Sequence, residues 1–446
     1  MGQRTVSILE PNRARHCYQR IAFVAALLFV TILRTHPAVA DLHQYDSKYY
    51  VIHTDIDPDD AREAIVRMTK MAEEYHERTK SFAGTIRTQF PFFLYRSAED
   101  YHANGGPPGT AGLFVVDEKG ARLLAIAGQK TTLNTWHTVQ HEGFHQFAHA
   151  VIGGHIPTWL NEGLAEYFGE SIFTGDGFVT GIIPPWRLAR LKREFDDDQL
   201  KSVHDIMETS SEKWLMEMNI RNYDQAWSMV HFLVNAENGK YQPAFSDCIR
   251  GISQGRNFDR AWLSSMGPAA GFEDQWKQYW QSQPESPTSE LYARAAVATL
   301  TSFLARATAQ QQTFADFDVF RTAAEADTLK IHQDDWLPHS LLTDTLREVE
   351  SDQHITLHPG INKLPVITIP LPDGKLITGW FTLRGPRVDQ VNVEVDDLPK
   401  VLKAAQNAPN NGGKKGDIRL MVQASLKQHP TSPAAAEAKK FLQSLR

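Results

Sequence analysis

The sequence predicts an α+β fold: a small N-terminal mixed sheet, then a long helical region, then a helical and small α+β C-terminal part. Three observations carry this. Aromatic and β-branched runs alternate with a helical stretch between residues 48 and 126; helical periodicity then persists from about Asn134 for roughly 150 residues; an extended region returns at about Leu357 to Val395. With 446 residues, and about 150 per domain, the chain has length for two to three domains. The expected divisions are 1–40, 41–285, 290–350 and 351–446.

Composition narrows the function classes. Hydrophobic residues make up 42% and charged residues 22%, which suits packed cores and excludes a disordered chain. A net charge of −7 opposes a protein that neutralises phosphates, so no nucleic-acid partner is expected. Two cysteines, Cys17 and Cys248, cannot build a disulfide framework or an all-cysteine zinc site. Any metal must be held by His and carboxylate.

Residues 1–40 read as an export signal. Arg4, Arg13, Arg15 and Arg20 precede an apolar run from Ile21 to Leu33, and Ala38-Val39-Ala40 is an A-x-A cleavage site. The run is too short to span a bilayer comfortably, at about 20 Å against a hydrocarbon core of roughly 30 Å. An uncleaved anchor helix is the alternative and the expected membrane contact. Removing the segment deletes five Arg and one Glu and takes the charge from −7 to −11. Either way the bulk of the chain is expected to be exported, periplasmic or secreted. Cys248, left alone, reads as a small buried hydrophobe.

The elements follow in order. Lys48 to Asp55 reads as a strand, and Asp57-Pro58 opens a helix with Ala61, Ile65, Met68, Ala72 and Tyr75 at helical spacing. Pro91 to Tyr95 is a second strand, His102 to Gly109 a breaker loop, and Leu113 to Val116 with Arg122 to Ile126 a hairpin. A helix is predicted from about Thr135 to Ile152, ended by Gly153-Gly154, and another from Pro157. Further helical stretches lie near Trp186 to Glu194, Val203 to Glu208 and Asn222 to Glu237. A polar linker follows at Gln283 to Ser289, then a helical region from Leu291 to about Glu350. Beyond the extended region come a loop at Asn407 to Gly416 and a last pair of helices.

The chemistry concentrates in His141-Glu142-Gly143-Phe144-His145. Two His at i and i+4 share a helix face and can converge on one ion, while Glu142 is placed beside it to take a proton from water. Asn161-Glu162-Gly163-Leu164-Ala165-Glu166 lies on the next predicted helix, and a helix hairpin can return Glu162 to the His141/His145 face. Two His and one Glu leave a fourth zinc position open, as in catalytic rather than structural sites. Glu166, one turn on, is the candidate to accept the outer N–H of a ligand His. His149 is eight residues from His141, about 12 Å along the axis, and so cannot share its ion. A third-His arrangement through His155 needs a glycine where Ala148 stands.

His141-Glu142-x-x-His145 followed by Trp159-Leu160-Asn161-Glu162-Gly163-Leu164-Ala165-Glu166-Tyr167 resembles the gluzincin metallopeptidases. Among these it is most similar to exported, largely uncharacterised bacterial peptidase-MA-like proteins. The resemblance is specific over about Leu113 to Phe168, weaker to about Trp280 and absent beyond. It implies a zincin-like catalytic domain, one Zn2+ ion on His141, His145 and Glu162, and hydrolysis of peptide bonds in a peptide or protein substrate, with Glu142 activating the water. Only sixteen residues separate His145 from Glu162, slightly fewer than in aminopeptidase-type members, and the preceding hairpin shows no amine-recognition motif. The resemblance also implies an oxyanion-stabilising group some sixty residues after the Glu ligand, for which Tyr223 is first choice and His231 second. The strand carrying Gly112, Leu113 and Phe114 is a candidate edge for pairing with an extended substrate. Two other readings fit the same residues: a non-catalytic zinc protein using the cleft to bind an envelope partner, and a zinc hydrolase of a non-peptide amide or ester.

Overall fold

The computed structural model describes residues 41–129, 131–217, 219–349, 354–359, 364–372, 374–407 and 415–445. The export segment at 1–40 and most of the loop expected at Asn407 to Gly416 lie outside the described residues. Among the described residues, no helix is long and apolar enough to cross a membrane.

The first layer is β1 (His43–Asp46), β2 (Tyr50–Thr54), α1 (Pro58–Thr79), β3 (Phe90–Tyr95), α2 (Ala98–Ala103), β4 (Gly112–Asp117) and β5 (Gly120–Ile126). The strands form a mixed sheet in the order β1-β2-β3-β5-β4, with β2, β3 and β5 parallel and both outer strands antiparallel to their neighbours. Alternation decides the register: Tyr50, Ile52, Phe92, Leu94, Leu123 and Ala125 are buried on one face, against Ala61, Ala64, Met68 and Ala72 of α1. β1 and α2 lie where the sequence reading had no element; β1 is a four-residue edge strand, mostly exposed, with too little apolar content to announce itself. β4 is the other edge.

The helical region runs through α3 (Leu133–Phe147), a π-helical turn (Ala148–Ile152), α4 (Thr158–Gly169), a small ladder of β6 (Ile172–Phe173) and β7 (Phe178–Val179), α5 (Pro185–Asp196), α6 (Val203–Met207), α7 (Ser211–Glu217), α8 (Ile220–Gly239), α9 (Gln242–Ser253), α10 (Phe258–Met266) and α11 (Ala269–Gln281). α3 starts on a reciprocal cap in which Thr132 and Thr135 each accept the other's backbone N–H at 3.2 and 3.1 Å. After Phe147 the helix widens into the π turn and stops at Gly153, whose φ of +67° suits glycine. Pro157 then takes the N-cap of α4 rather than its first turn. Gln140 locks the pair: its amide donates to the carbonyls of Phe168, Gly169 and Ser171 at 3.0–3.2 Å, satisfying the end of α4. Cys248 is fully buried in this helical core, and burial pushes its thiol up to about 12.

The last part comprises α12 (Ser289–Ala309), α13 (Phe317–Glu325), α14 (His339–Val349), β8 (Thr356–Pro359), β9 (Pro365–Pro370), β10 (Leu376–Arg384), β11 (Arg387–Asp396), α15 (Leu398–Asn407), α16 (Lys415–Gln428) and α17 (Ala435–Ser444). The four strands form an antiparallel meander whose inner face, Ile367, Ile369, Ile377 and Phe381, packs on Val297, Leu300 and Leu304 of α12. Phe173 of β6 joins that core, and Arg306 grips Asp176 bidentately at 2.8 and 2.9 Å between β6 and β7. The fold is thus α+β, with the N-terminal sheet followed by helices.

Two positions make exacting demands. A Cβ on Gly163 would lie 2.5 Å from the Ala226 carbonyl oxygen, so glycine there permits the close crossing of α4 and α8. Gly163→Ala is expected to destabilise the protein by about 1–3 kcal/mol, read as a lowered Tm. Glu194, 5% exposed, has one carboxylate oxygen without a partner; burial, then the nearby Asp224 charge, raises its pKa to about 7. A carboxyl raised on folding loses stability as pH climbs from its unfolded value through 7. Glu194→Gln should therefore raise stability at pH 8 by about 1–2 kcal/mol and flatten the decline in Tm between pH 5 and 8.

Candidate metal centre

Helical spacing puts His141 and His145 on one face of α3, and the turn at 148–157 lays α4 against that face. The Nε2 atoms of the two imidazoles are 3.1 Å apart, and Glu162 Oε2 is 3.3 Å from that of His141 and 3.6 Å from that of His145. Atoms about 2.0–2.1 Å from a common centre at tetrahedral angles stand roughly 3.3–3.4 Å from one another. The donor set therefore fits a metal ion by spacing as well as by chemistry, and these three side chains could hold one.

Burial disfavours the charged imidazole, but hydrogen bonding to Glu162 and Glu166 outweighs it and holds the His141 pKa well above its ordinary value. Burial likewise opposes the Glu162 carboxylate, yet the charge of His145 and hydrogen bonds from both histidines bring its pKa down to about 2.

Glu166 Oε1 lies 3.2 Å from His141 Nδ1, which orients that ring with Nε2 toward the other donors. Its second oxygen accepts from Arg187 Nη1 at 2.6 Å. Arg187 also donates to Glu170 at 2.6 Å and to Asp224 at 2.9 Å, and lies over the Trp227 ring at 4.5 Å. Arg187 and Asp224 are 2% and 0% exposed. A second grouping, His137 with Glu166 and Glu170, has metal-like spacing, but its two carboxylates already share the Arg187 guanidinium. His145 Nδ1 is buried without a hydrogen-bond partner among the described residues.

Glu142 points to the sheet side. Its Oε2 accepts the Phe114 backbone N–H at 2.8 Å. β4 can come this close because Gly112 has no Cβ; one would sit 2.4 Å from the Thr138 methyl and 3.0 Å from Glu142 Cγ. Ile126 N–H donates to the Ala111 carbonyl, so the backbone groups of odd-numbered residues of this strand face β5 and those of Gly112, Phe114 and Val116 face away from it, Gly112 buried and the Phe114 N–H held by Glu142. Leu113 and Phe114 are half-buried there. Tyr223, early in α8, has its ring centroid 6.5 Å from that of His141. Burial, then the Glu162 charge, pushes its phenol up to about 12, so it remains an O–H donor at neutral pH.

His231 is not brought to this centre. Eight residues beyond Tyr223, about 12 Å along α8, it is buried among Tyr167, Trp227 and Trp280, with Nε2 3.0 Å from the Gly181 carbonyl oxygen. Burial brings its pKa down to about 4. His149 is exposed, its ring 5.5 Å from that of Phe114. Gln140, Arg187 and Asp224 were not singled out by the sequence; no local spacing relates them to the His pair.

A family model described as a protein of unknown function, DUF1570, matches residues 135–258, a stretch that contains His141, His145, Glu162, Arg187 and Tyr223. No curated protein matches the chain.

Glu166→Gln, which keeps a hydrogen-bonding oxygen but removes the charge behind His141, is expected to weaken metal affinity about 10–100-fold, measured by chelator competition. Arg187→Met removes the guanidinium shared by Glu166 and Glu170 and leaves Asp224 with Arg190 alone. Its expected effect is a loss of about 3–5 kcal/mol of stability in denaturant unfolding.

Proposed function

We propose that this chain is an exported zinc-dependent metallopeptidase of gluzincin type. The observation that carries the reading is the convergence of His141, His145 and Glu162 at tetrahedral-edge spacing, with Glu142 alongside on the same helix. A zinc ion held by that donor set would supply Lewis acidity, lowering the pKa of a water toward about 7 and polarising a carbonyl.

The chain's own residues supply the rest. Glu142, steadied by the Phe114 N–H, takes the proton of the attacking water and delivers it to the departing amine nitrogen. The Tyr223 phenol donates to the oxygen that gains negative charge as the carbonyl becomes tetrahedral. The edge of β4 offers the Phe114 carbonyl and the backbone groups of Val116 to an extended peptide, which favours a polypeptide substrate over a small amide or ester. The apolar run at Ile21 to Leu33 with Ala38-Val39-Ala40 supports export.

Glu142→Gln should retain stoichiometric zinc, measured by metal analysis, and lose turnover of a peptide library; full activity in this variant would remove Glu142 from the mechanism. Tyr223→Phe should keep zinc and lower kcat by about 10²–10³-fold with little change in KM.

A further inference from the structure

A cavity of about 560 Å³ adjoins the metal centre. One wall is made by α3 and α4 and includes His137, one turn before His141, and Glu166, the carboxylate on its Nδ1. A facing wall comes from the C-terminal part of the chain: Tyr292 of α12, and Asp344 and Glu348, one turn apart on α14. α14 is held there because its opposite face, Leu342 and Leu346, is buried in the core under the antiparallel sheet. Leu133, Trp186 and Ile220 also line the cavity and are 72%, 58% and 54% exposed, forming an apolar rim.

The guanidinium groups lining this space are already engaged. Arg67 pairs with Glu63 at 2.5 Å, Arg187 with Glu166 and Glu170, and Arg190 with Asp224 at 2.7 Å. They offer an anion little. Asp344 pairs with its neighbour Arg347, at 2.9 Å and well exposed, and feels the charge of Arg67 across the cavity, while Glu348 has no ion-pair partner among the described residues. Partial burial, then the Asp344 charge, raises the Glu348 pKa, and burial with the charges of Glu170 and Glu348 takes the Tyr292 phenol up to about 12. This wall is short of positive charge.

We propose that the cavity is a specificity pocket for a cationic group of the substrate, an ammonium or guanidinium seated between Asp344 and Glu348 with its aliphatic stem along the apolar rim. The inference rests on the metallopeptidase reading for its substrate class. Long basic side chains bury their methylene stems on apolar surface while the charged head seeks carboxylate, which is the pattern of this cavity. A cation also relieves the repulsion of two like charges at i and i+4 on one helix. The same chemistry can come from a Lys or Arg side chain or from a free peptide amino terminus. In either case the selecting residues belong to the C-terminal region, outside the stretch 135–258.

The test uses full-length, zinc-loaded Glu142→Gln protein and calorimetric titration with four peptides. These carry lysine or Nε-acetyl-lysine at one position, each with a free or an acetylated amino terminus. The expected result is at least about tenfold tighter binding of the cationic member of a pair. That preference should disappear when Asp344→Asn and Glu348→Gln are combined, with zinc content and Tm unchanged. Preference that follows lysine assigns the pocket to a side chain; preference that follows the free terminus assigns it to the amine. Equal binding of all four peptides at full zinc occupancy, or a preference that survives the double substitution, overturns the proposal. Cleavage of a peptide library by the unsubstituted protein separates the two readings. Cleavage without enrichment of cationic residues near the cut overturns the pocket alone, whereas lysine-selective binding with no cleavage supports the pocket and counts against hydrolysis.

Discussion

A guanidinium buried to 2% exposure is tolerable only if its charge is matched, and Arg187 is matched three times, by Glu166, Glu170 and Asp224. This cluster joins α4, α5 and α8, with Arg190 adding a second bond from α5 to Asp224. Because Glu166 spends one oxygen on Arg187 and the other on His141, the orientation of an imidazole is tied to the packing of helices more than twenty residues away. The geometry of the donor set therefore depends on a charge balance that lies entirely behind it. Gly163 serves the same end by steric means, letting α8 approach until Tyr223 faces the histidines.

What the sequence disclosed about this arrangement was local. The pairs His141/His145 and Glu162/Glu166 each repeat at four residues, and that period alone puts their members on one helix face. The glycine and proline between α3 and α4 announced a hairpin, and the structure realises it with a π turn that periodicity cannot distinguish from ordinary helix. The β2, β3 and β4–β5 segments were legible because they are aromatic, β-branched or apolar runs bounded by turn residues; β1 was not, having four mostly polar, exposed residues.

Partnerships between distant segments stayed hidden. Arg187 is 21 residues from Glu166 and 37 from Asp224, and no spacing rule joins them. His231 illustrates the converse: reasoning along α8 made it an alternative to Tyr223, but burial among aromatic rings, and the Gly181 carbonyl, claimed it for the core. The extended stretch near 357–395 could be recognised as such, whereas its pairing into a meander on α12, and the Arg306–Asp176 grip that carries α12 to the β6–β7 turn, are tertiary facts.

The bond between the Phe114 amide and Glu142 links two parts of the cleft that are usually considered separately. In the proposed mechanism the strand that would dock an extended peptide also anchors the carboxylate that would carry the proton. A ligand that draws β4 sideways by a fraction of an ångström must reposition that carboxylate as well, so fit along the backbone would be sensed in the speed of bond breaking even where the affinity is untouched. On that mechanism selectivity would reside partly in rate, through a single amide hydrogen.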